Sequence, residues 1–274
     1  MMIFKNQKKI LIYIPIIIMI IILSFLVLTC VQRFKYDKVT PLFKTFSLVE
    51  LNNKFGVINL LGKVLVEPKY DEINFMYNDN MFKVKLDNKY GFIDKSGKPV
   101  TKVQYEKASL FFNQDALSVR RDGKWGFIDK TGNEIIKPDF EETLSFSEGV
   151  AAVEKNKKWS FIDKTGKKII KPDFEEASFF SEGVAAIKKS GKWGFIDKTG
   201  KVIIDNKFDF ALEFSEGLAP VKKNGKWGFV DKSGSMVIEP KYNLVMPFSK
   251  GQSKVKINGQ KFVIDKSGKI LNKK

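Results

Sequence analysis

The chain repeats itself every 34 to 35 residues, and no other feature constrains its fold as much. If the aromatic of the string Lys-Trp-Gly is the zero mark, it falls at Phe55, Tyr90, Trp125, Trp159, Trp193 and Trp227. A seventh, decayed copy has Lys261 there. Four residues on stand Asn59, Asp94, Asp129, Asp163, Asp197, Asp231 and Asp265, and seven on stands a glycine, from Gly62 to Gly268. An aromatic recurs fifteen residues on, from Tyr70 to Tyr242. Phe112, Phe146, Phe180, Phe214 and Phe248 precede the later marks by thirteen.

A period near 34 also suits paired helices, but the turn strings Asp-Lys-Thr-Gly and Asn-Gly-Lys recur too often for helices of ordinary length. The short segments between them are rich in Val, Ile, Phe and Trp, so each unit reads as three strands. In one copy these are Val184–Lys189, Lys192–Asp197 and a strand through "KVII", with turns at Ser190-Gly191 and Lys198-Thr199-Gly200. Alternation places Trp193 and Phe195 on one face, and Gly194 and Ile196 on the other. Neither strand has a polar face, so both faces must be covered, which stacked neighbours can do and a lone unit cannot. The expected fold is all-β: six to seven three-stranded β-meander repeats in a curved, solenoid-like stack. A closed β-propeller is the alternative, disfavoured because a four-stranded blade usually takes about 40–45 residues.

The strings "GKWGFIDKTGK", "KPDFEEA" and "FSEGVAAV" resemble the WG, or KWG, repeats of bacterial proteins over about residues 42–274. The resemblance implies a non-enzymatic array used for binding or surface interaction. Ser160 departs from the motif glycine, and Phe55, Tyr90 and Lys261 depart from its tryptophan, mainly toward the ends, as capping copies do.

The marked aromatics Phe55, Tyr90, Trp125, Trp159, Trp193 and Trp227 are expected in the repeat core, because an enclosed Trp dominates core energetics. Stacking on sugar rings is the rival role. Each repeated Asp before Lys-Ser/Thr-Gly is expected to accept turn hydrogen bonds. A calcium site would need several converging oxygens, which one Asp per repeat does not supply. Glu148, Glu182 and Glu216, like the Glu141-Glu142 and Glu175-Glu176 pairs, recur as surface punctuation. Glycoside hydrolysis would need one unequal pair at a defined separation.

The chain has no His and one Cys, Cys30. That excludes an imidazole base, Ser–His and Cys–His nucleophile pairs, His/Cys zinc sites and a disulfide framework. No enzyme, cofactor or metal is expected; a hydrolase is a minor alternative.

Lys5, Lys8 and Lys9 precede a 22-residue uncharged run from Ile10 to Val31, long enough to cross a bilayer. Residues 1–9 read as a cytoplasmic stub, 10–31 as a transmembrane helix acting as signal anchor, 32–41 as a tether and 42–274 as the repeat domain. The repeats would then be extracytoplasmic, on a single-pass plasma-membrane protein. Cys30 ends the apolar run, where a lipoprotein carries its acylated Cys, although Leu28 and Thr29 depart from the usual small residues; a cleaved signal is the third possibility.

The net charge is +17, and Arg33, Arg120 and Arg121 are the only arginines. Lys is a hydrated point charge and a poor bidentate reader, so nucleic acid is an improbable partner and protein or an anionic envelope polymer a better one. The turn between the first two strands of a unit carries Arg120, Arg121 and Lys124 in one copy. Later copies carry Lys155, Lys157 and Lys158, then Lys188, Lys189 and Lys192, then Lys222, Lys223 and Lys226. Stacking in register would align these as a basic stripe able to hold a polyanion, with the acids of "DFEE" and "SEG" on a different border. The expected function is that of a membrane-anchored interaction module, with a carbohydrate-binding surface protein as alternative.

Overall fold

The computed structural model describes residues 35–43, 45–76 and 78–273. The expected span at 10–31 and the acylation site at Cys30 lie outside them. Among the described residues there is no helix, and therefore none long and apolar enough to cross a membrane.

Among the described residues seven small antiparallel sheets follow one another in sequence, every strand pairing with its sequence neighbour. They span Lys38–Tyr70, Glu72–Asp94, Lys107–Phe140, Glu142–Phe174, Glu176–Phe208, Phe210–Tyr242 and Leu244–Lys273. One compact unit, ending at Glu106, holds the first two; a second, from Lys107, holds the other five.

Six sheets have four strands, not the expected three, and the second has three. In the first sheet the extra strand is Lys38–Phe43, which begins inside the residues read as a tether; in the other five it comes from the stretch that read as irregular. In the fifth sheet it is Glu176–Ala177, paired through Glu176 with Lys188 and through Ala177 with Ile187. Two residues are too few for a period-2 pattern to register. The short outer strand and two-residue hairpins fit four strands into 34 residues, so the length argument against a blade-like, propeller-type sheet fails. In the second sheet Pro99, which has no N–H, stands where the last strand would begin. Only isolated bridges, Ile93 to Pro99 and Tyr90 to Tyr105, remain.

From the second sheet to the sixth both faces of the central hairpin are buried, as alternation requires, whereas the seventh exposes Gln252 and Lys254. Val184, Ala186 and Phe195 of the fifth sheet pack with Ala219, Val221 and Val230 of the sixth. From the opposite face, Ala185, Ile187 and Ile196 pack with Ala152, Phe161 and Ile170 of the fourth. Within each compact unit, neighbouring sheets thus complete one another's cores.

The motif glycine has a steric cause. The last strand bulges between the pairs Trp193–Phe208 and Phe195–Ile204. A Cβ on Gly194 would lie 2.5 Å from the Ile204 carbonyl oxygen and 2.8 Å from the Asn206 nitrogen. Ser160 carries a side chain at the equivalent place, under the same bulge; it is buried, and its hydroxyl has no hydrogen-bond partner.

Candidate functional site

The repeated Asp is a turn residue. Asp197 Oδ1 accepts from the Thr199 amide at 2.9 Å, the Thr199 hydroxyl at 2.6 Å and the Lys201 amide at 3.0 Å. The Thr199 hydroxyl, foremost, holds the Asp197 carboxyl below its usual range. The glutamates of "SEG" join neighbouring sheets. Glu148 accepts from the Gly183 amide at 3.0 Å and pairs with Lys198 at 3.1 Å. Glu182 meets Gly217 and Lys232, and Glu216 meets Gly251 and Lys266, in the same way. Ser147, Ser181 and Ser215 donate to the Phe180, Phe214 and Phe248 carbonyls, each at 2.7 Å. These recurring carboxylates have structural partners. Among the described residues no group of three or more His, Cys, Asp or Glu could hold a metal ion.

The marked aromatics take a more peripheral place than expected. Trp193 is buried, whereas Phe55, Tyr90, Trp125, Trp159 and Trp227 are half-buried. The fully enclosed rings include the phenylalanine two residues on, namely Phe92, Phe127, Phe161, Phe195 and Phe229, together with Phe180, Phe214 and Phe248. They meet in pairs: Phe195 and Phe214 at 5.0 Å, Phe229 and Phe248 at 4.8 Å. The reason is position along the strand. Trp193 is the second residue after the hairpin, at the rim, while Phe195 lies at mid-strand between two neighbouring sheets.

The basic hairpins are not segregated from the acids. Lys124 pairs with Glu141 at 2.6 Å and Lys155 with Asp139 at 2.5 Å. Lys188 pairs with Glu176 at 2.7 Å, Lys189 with Asp173, and Lys192 with Asp209 at 2.7 Å. Arg121 lies on Glu134, and Arg120 stands between Lys107 and Trp125 in the ladder. The "DFEE" acids end the last strand, beside the next sheet's hairpin, so they interleave with the lysines instead of lining another border. Lys157 and Lys158 sit exposed on their turn without an ion pair among the described residues.

The sixth sheet's hairpin departs from this pattern. Lys222, Lys223 and Lys226 of the sixth sheet have no carboxylate partner among the described residues, because each acid has been replaced. Phe210 stands where the fifth sheet has Glu176, Lys207 where Asp173 would face Lys223, and Asn243 where Asp209 faces Lys192. Beside these cations the surface is aromatic. Phe210, 40% exposed, lies 5.0 Å from Trp193 and 5.9 Å from Trp227, ring centre to ring centre. Asp209, Phe210, Lys222, Gly225 and Trp227 line an open cleft of about 290 Å³. Sequence reasoning missed Phe210. Its signal was the loss of an acid at one repeat offset, invisible while attention is on what recurs.

Tandem four-stranded meanders with shared cores define a β-repeat protein whose variable chemistry lies on its hairpins. The model of the WG containing repeat matches residues 55–90, 90–125, 125–159, 159–193, 193–227 and 227–260, and the chain belongs to that family. No curated protein matches it in sequence. Among solved structures it is similar to one described as the crystal structure of the eukaryotic initiation factor. The TM-score is 0.55 at 12% identity, covering 81% of this chain and 71% of that one. It is less similar to Kluyveromyces lactis Hsv2, with TM-score 0.46, 10% identity and coverage of 72% and 74%. For the dihydro-heme d1 dehydrogenase NirN the TM-score is 0.46 at 12% identity, with coverage of 86% and 65%. At 12% identity the first of these likenesses is one of fold alone.

Proposed function

We propose that this chain is a non-enzymatic interaction module, held at the plasma membrane by residues 10–31, whose extracytoplasmic repeats bind an anionic envelope polymer. The observation that carries the reading is the sixth-sheet hairpin, where Lys222, Lys223 and Lys226 lack the carboxylates that pair most of their counterparts. A lysine already paired gains little from an external anion, whereas unpaired cations close together act jointly on a polyanion. The 22-residue apolar run supports the anchor, and the structural engagement of the repeated acids supports a non-catalytic role.

The test is binding of the full-length chain, in detergent micelles, to polyglutamate and to a polyanionic wall polymer at low and high salt. Binding should fall steeply with salt. Replacing Lys222, Lys223 and Lys226 by Gln should remove most of it, and replacing Lys188 and Lys189 should remove little. Absence of binding at low salt, or equal loss from both sets, would overturn the reading.

A further inference from the structure

The sixth sheet differs from its neighbours in two ways at one place: it loses acids and it gains an exposed ring. A basic patch for a featureless polyanion needs only the first change. Phe210 is directly opposite Lys222 across the strand pair, where Glu176 is opposite Lys188 in the fifth sheet and Glu142 is opposite Glu154 in the fourth. The substitution therefore unpairs an ammonium and sets an apolar face next to it in one step. Trp227 closes the other side of the cleft, its ring at 67° to Phe210. Asp209 Oδ2 accepts from the Gly225 amide and Oδ1 pairs with Lys192, so this carboxylate is committed to the fold and offers little repulsion. At about 290 Å³ the cleft lies at the small end of ligand sites, suited to one ring and not to a folded partner.

The seventh sheet repeats the change in weaker form. Leu244, 54% exposed, is opposite Lys256, which has no carboxylate partner among the described residues. With Met246 and Phe262 they line a cleft of about 190 Å³. Two such places, one repeat apart, suit a ligand that itself repeats.

We propose that the Phe210–Trp227–Lys222 cleft binds one acidic sugar residue of an anionic polysaccharide, the ring's C–H face on the aromatics and its carboxylate on Lys222, with the Leu244–Lys256 cleft as a second subsite. This rests on the interaction-module reading and adds the ligand class and the site. A phosphate polymer without sugar rings would leave the aromatics idle, and a neutral glycan would leave the unpaired lysine idle. Nucleic acid would call for successive stacking platforms, whereas Trp193 is buried and Phe210 meets Trp227 edge-on.

The experiment measures binding of the full-length chain in micelles to tetragalacturonate, to its methyl ester, to polyglutamate and to a short oligothymidylate, by calorimetry and tryptophan quenching. The wild type should prefer tetragalacturonate to the ester by about tenfold or more. Phe210→Gln should weaken tetragalacturonate by about tenfold yet leave polyglutamate within about twofold, because it removes a ring and no charge. Lys222→Gln should weaken both. Phe210→Glu, which installs the residue that the fourth and fifth sheets carry, should abolish tetragalacturonate binding with the melting midpoint kept, guarding against a folding artefact. Equal binding of the ester, indifference of tetragalacturonate to Phe210→Gln, or tighter Phe210-dependent binding of oligothymidylate would each overturn the proposal. If polyglutamate binds and Phe210 proves irrelevant to the sugar, this site alone fails. If no polyanion binds, the broader reading fails with it.

Discussion

The fifth and sixth sheets are built on one plan and present opposite surfaces. Their cores are nearly interchangeable: Ala186, Phe195 and Ile204 in one, Pro220, Phe229 and Ile238 in the other, all buried. Their hairpins are not. The fifth is neutralised by Asp173, Glu176 and Asp209, while the sixth carries unpaired Lys222, Lys223 and Lys226 beside an aromatic cleft. The interior must match two neighbours at once, so a change there is felt on both sides. A hairpin tip meets solvent, where losing one exposed ion pair costs at most about 1 kcal/mol. Repeat architecture therefore lets function diverge at the tips while the cores stay fixed.

The largest expected effect breaks what the two sheets share. Phe195→Ala and Phe229→Ala should each destabilise by about 3–5 kcal/mol in chemical denaturation. A clear inequality would mean that the two cores are not equivalent. The rim should separate the sheets: Trp193→Ala should cost about 3 kcal/mol or more and Trp227→Ala about half that, since Trp193 is buried and Trp227 half-buried. Equal costs would refute the difference in enclosure between the two tryptophans.

A smaller effect tests the motif glycine by exchange between the fourth and fifth sheets. Ser160→Gly should stabilise by about 1 kcal/mol, because it removes a buried hydroxyl with no partner, and Gly194→Ser should destabilise by about 1–3 kcal/mol. Melting of both variants decides it. A neutral Ser160→Gly would mean that backbone freedom in the unfolded chain cancels the gain.

Acid should affect both sheets, but the fifth hairpin more. Asp197 and Asp231 are held below the usual carboxylate range, foremost by the Thr199 and Ser233 hydroxyls, and Asp173 foremost by Lys189. Carboxyls lowered in the folded state contribute stability that is complete above their ordinary range and is lost as pH falls through the folded value. Hydrogen exchange followed from neutral pH down to about pH 3 should show both "DKTG" and "DKSG" turns loosening. The Lys188–Lys192 hairpin, whose three lysines are paired with Glu176, Asp173 and Asp209, should loosen more than Lys222–Lys226, whose one such tie is the Gly225 amide on Asp209. The smallest effect is Phe210→Glu on stability, expected within about 0.5 kcal/mol of wild type, because an exposed pair is gained as an exposed ring is lost.

The sequence by itself determined the period, the all-β class, the hairpins, the turn role of Asp197 and its equivalents, and the burial of both faces of strands such as Val184–Lys189. These follow from local rules: alternation, positive-φ turn residues and the inability of one small sheet to enclose a core. It was blind to the two-residue outer strands such as Glu176–Ala177, which are too short for a periodic pattern. It also overrated the marked aromatics as a set: Trp193 is buried as expected, but Trp125, Trp159 and Trp227 occupy the same strand position and are half-buried, because what the next sheet lays over that position, Phe210 in the case of Trp193, differs from copy to copy. Charge separation failed for the same reason. The acids are 12 to 17 residues from the lysines they meet, and strand pairing within a sheet, as between Glu176 and Lys188, or the packing of the next sheet brings them together. Tertiary structure turned a uniform series of basic turns into paired hairpins and one unpaired one, because an ion pair depends on what stands opposite in space, which at Phe210 is a ring.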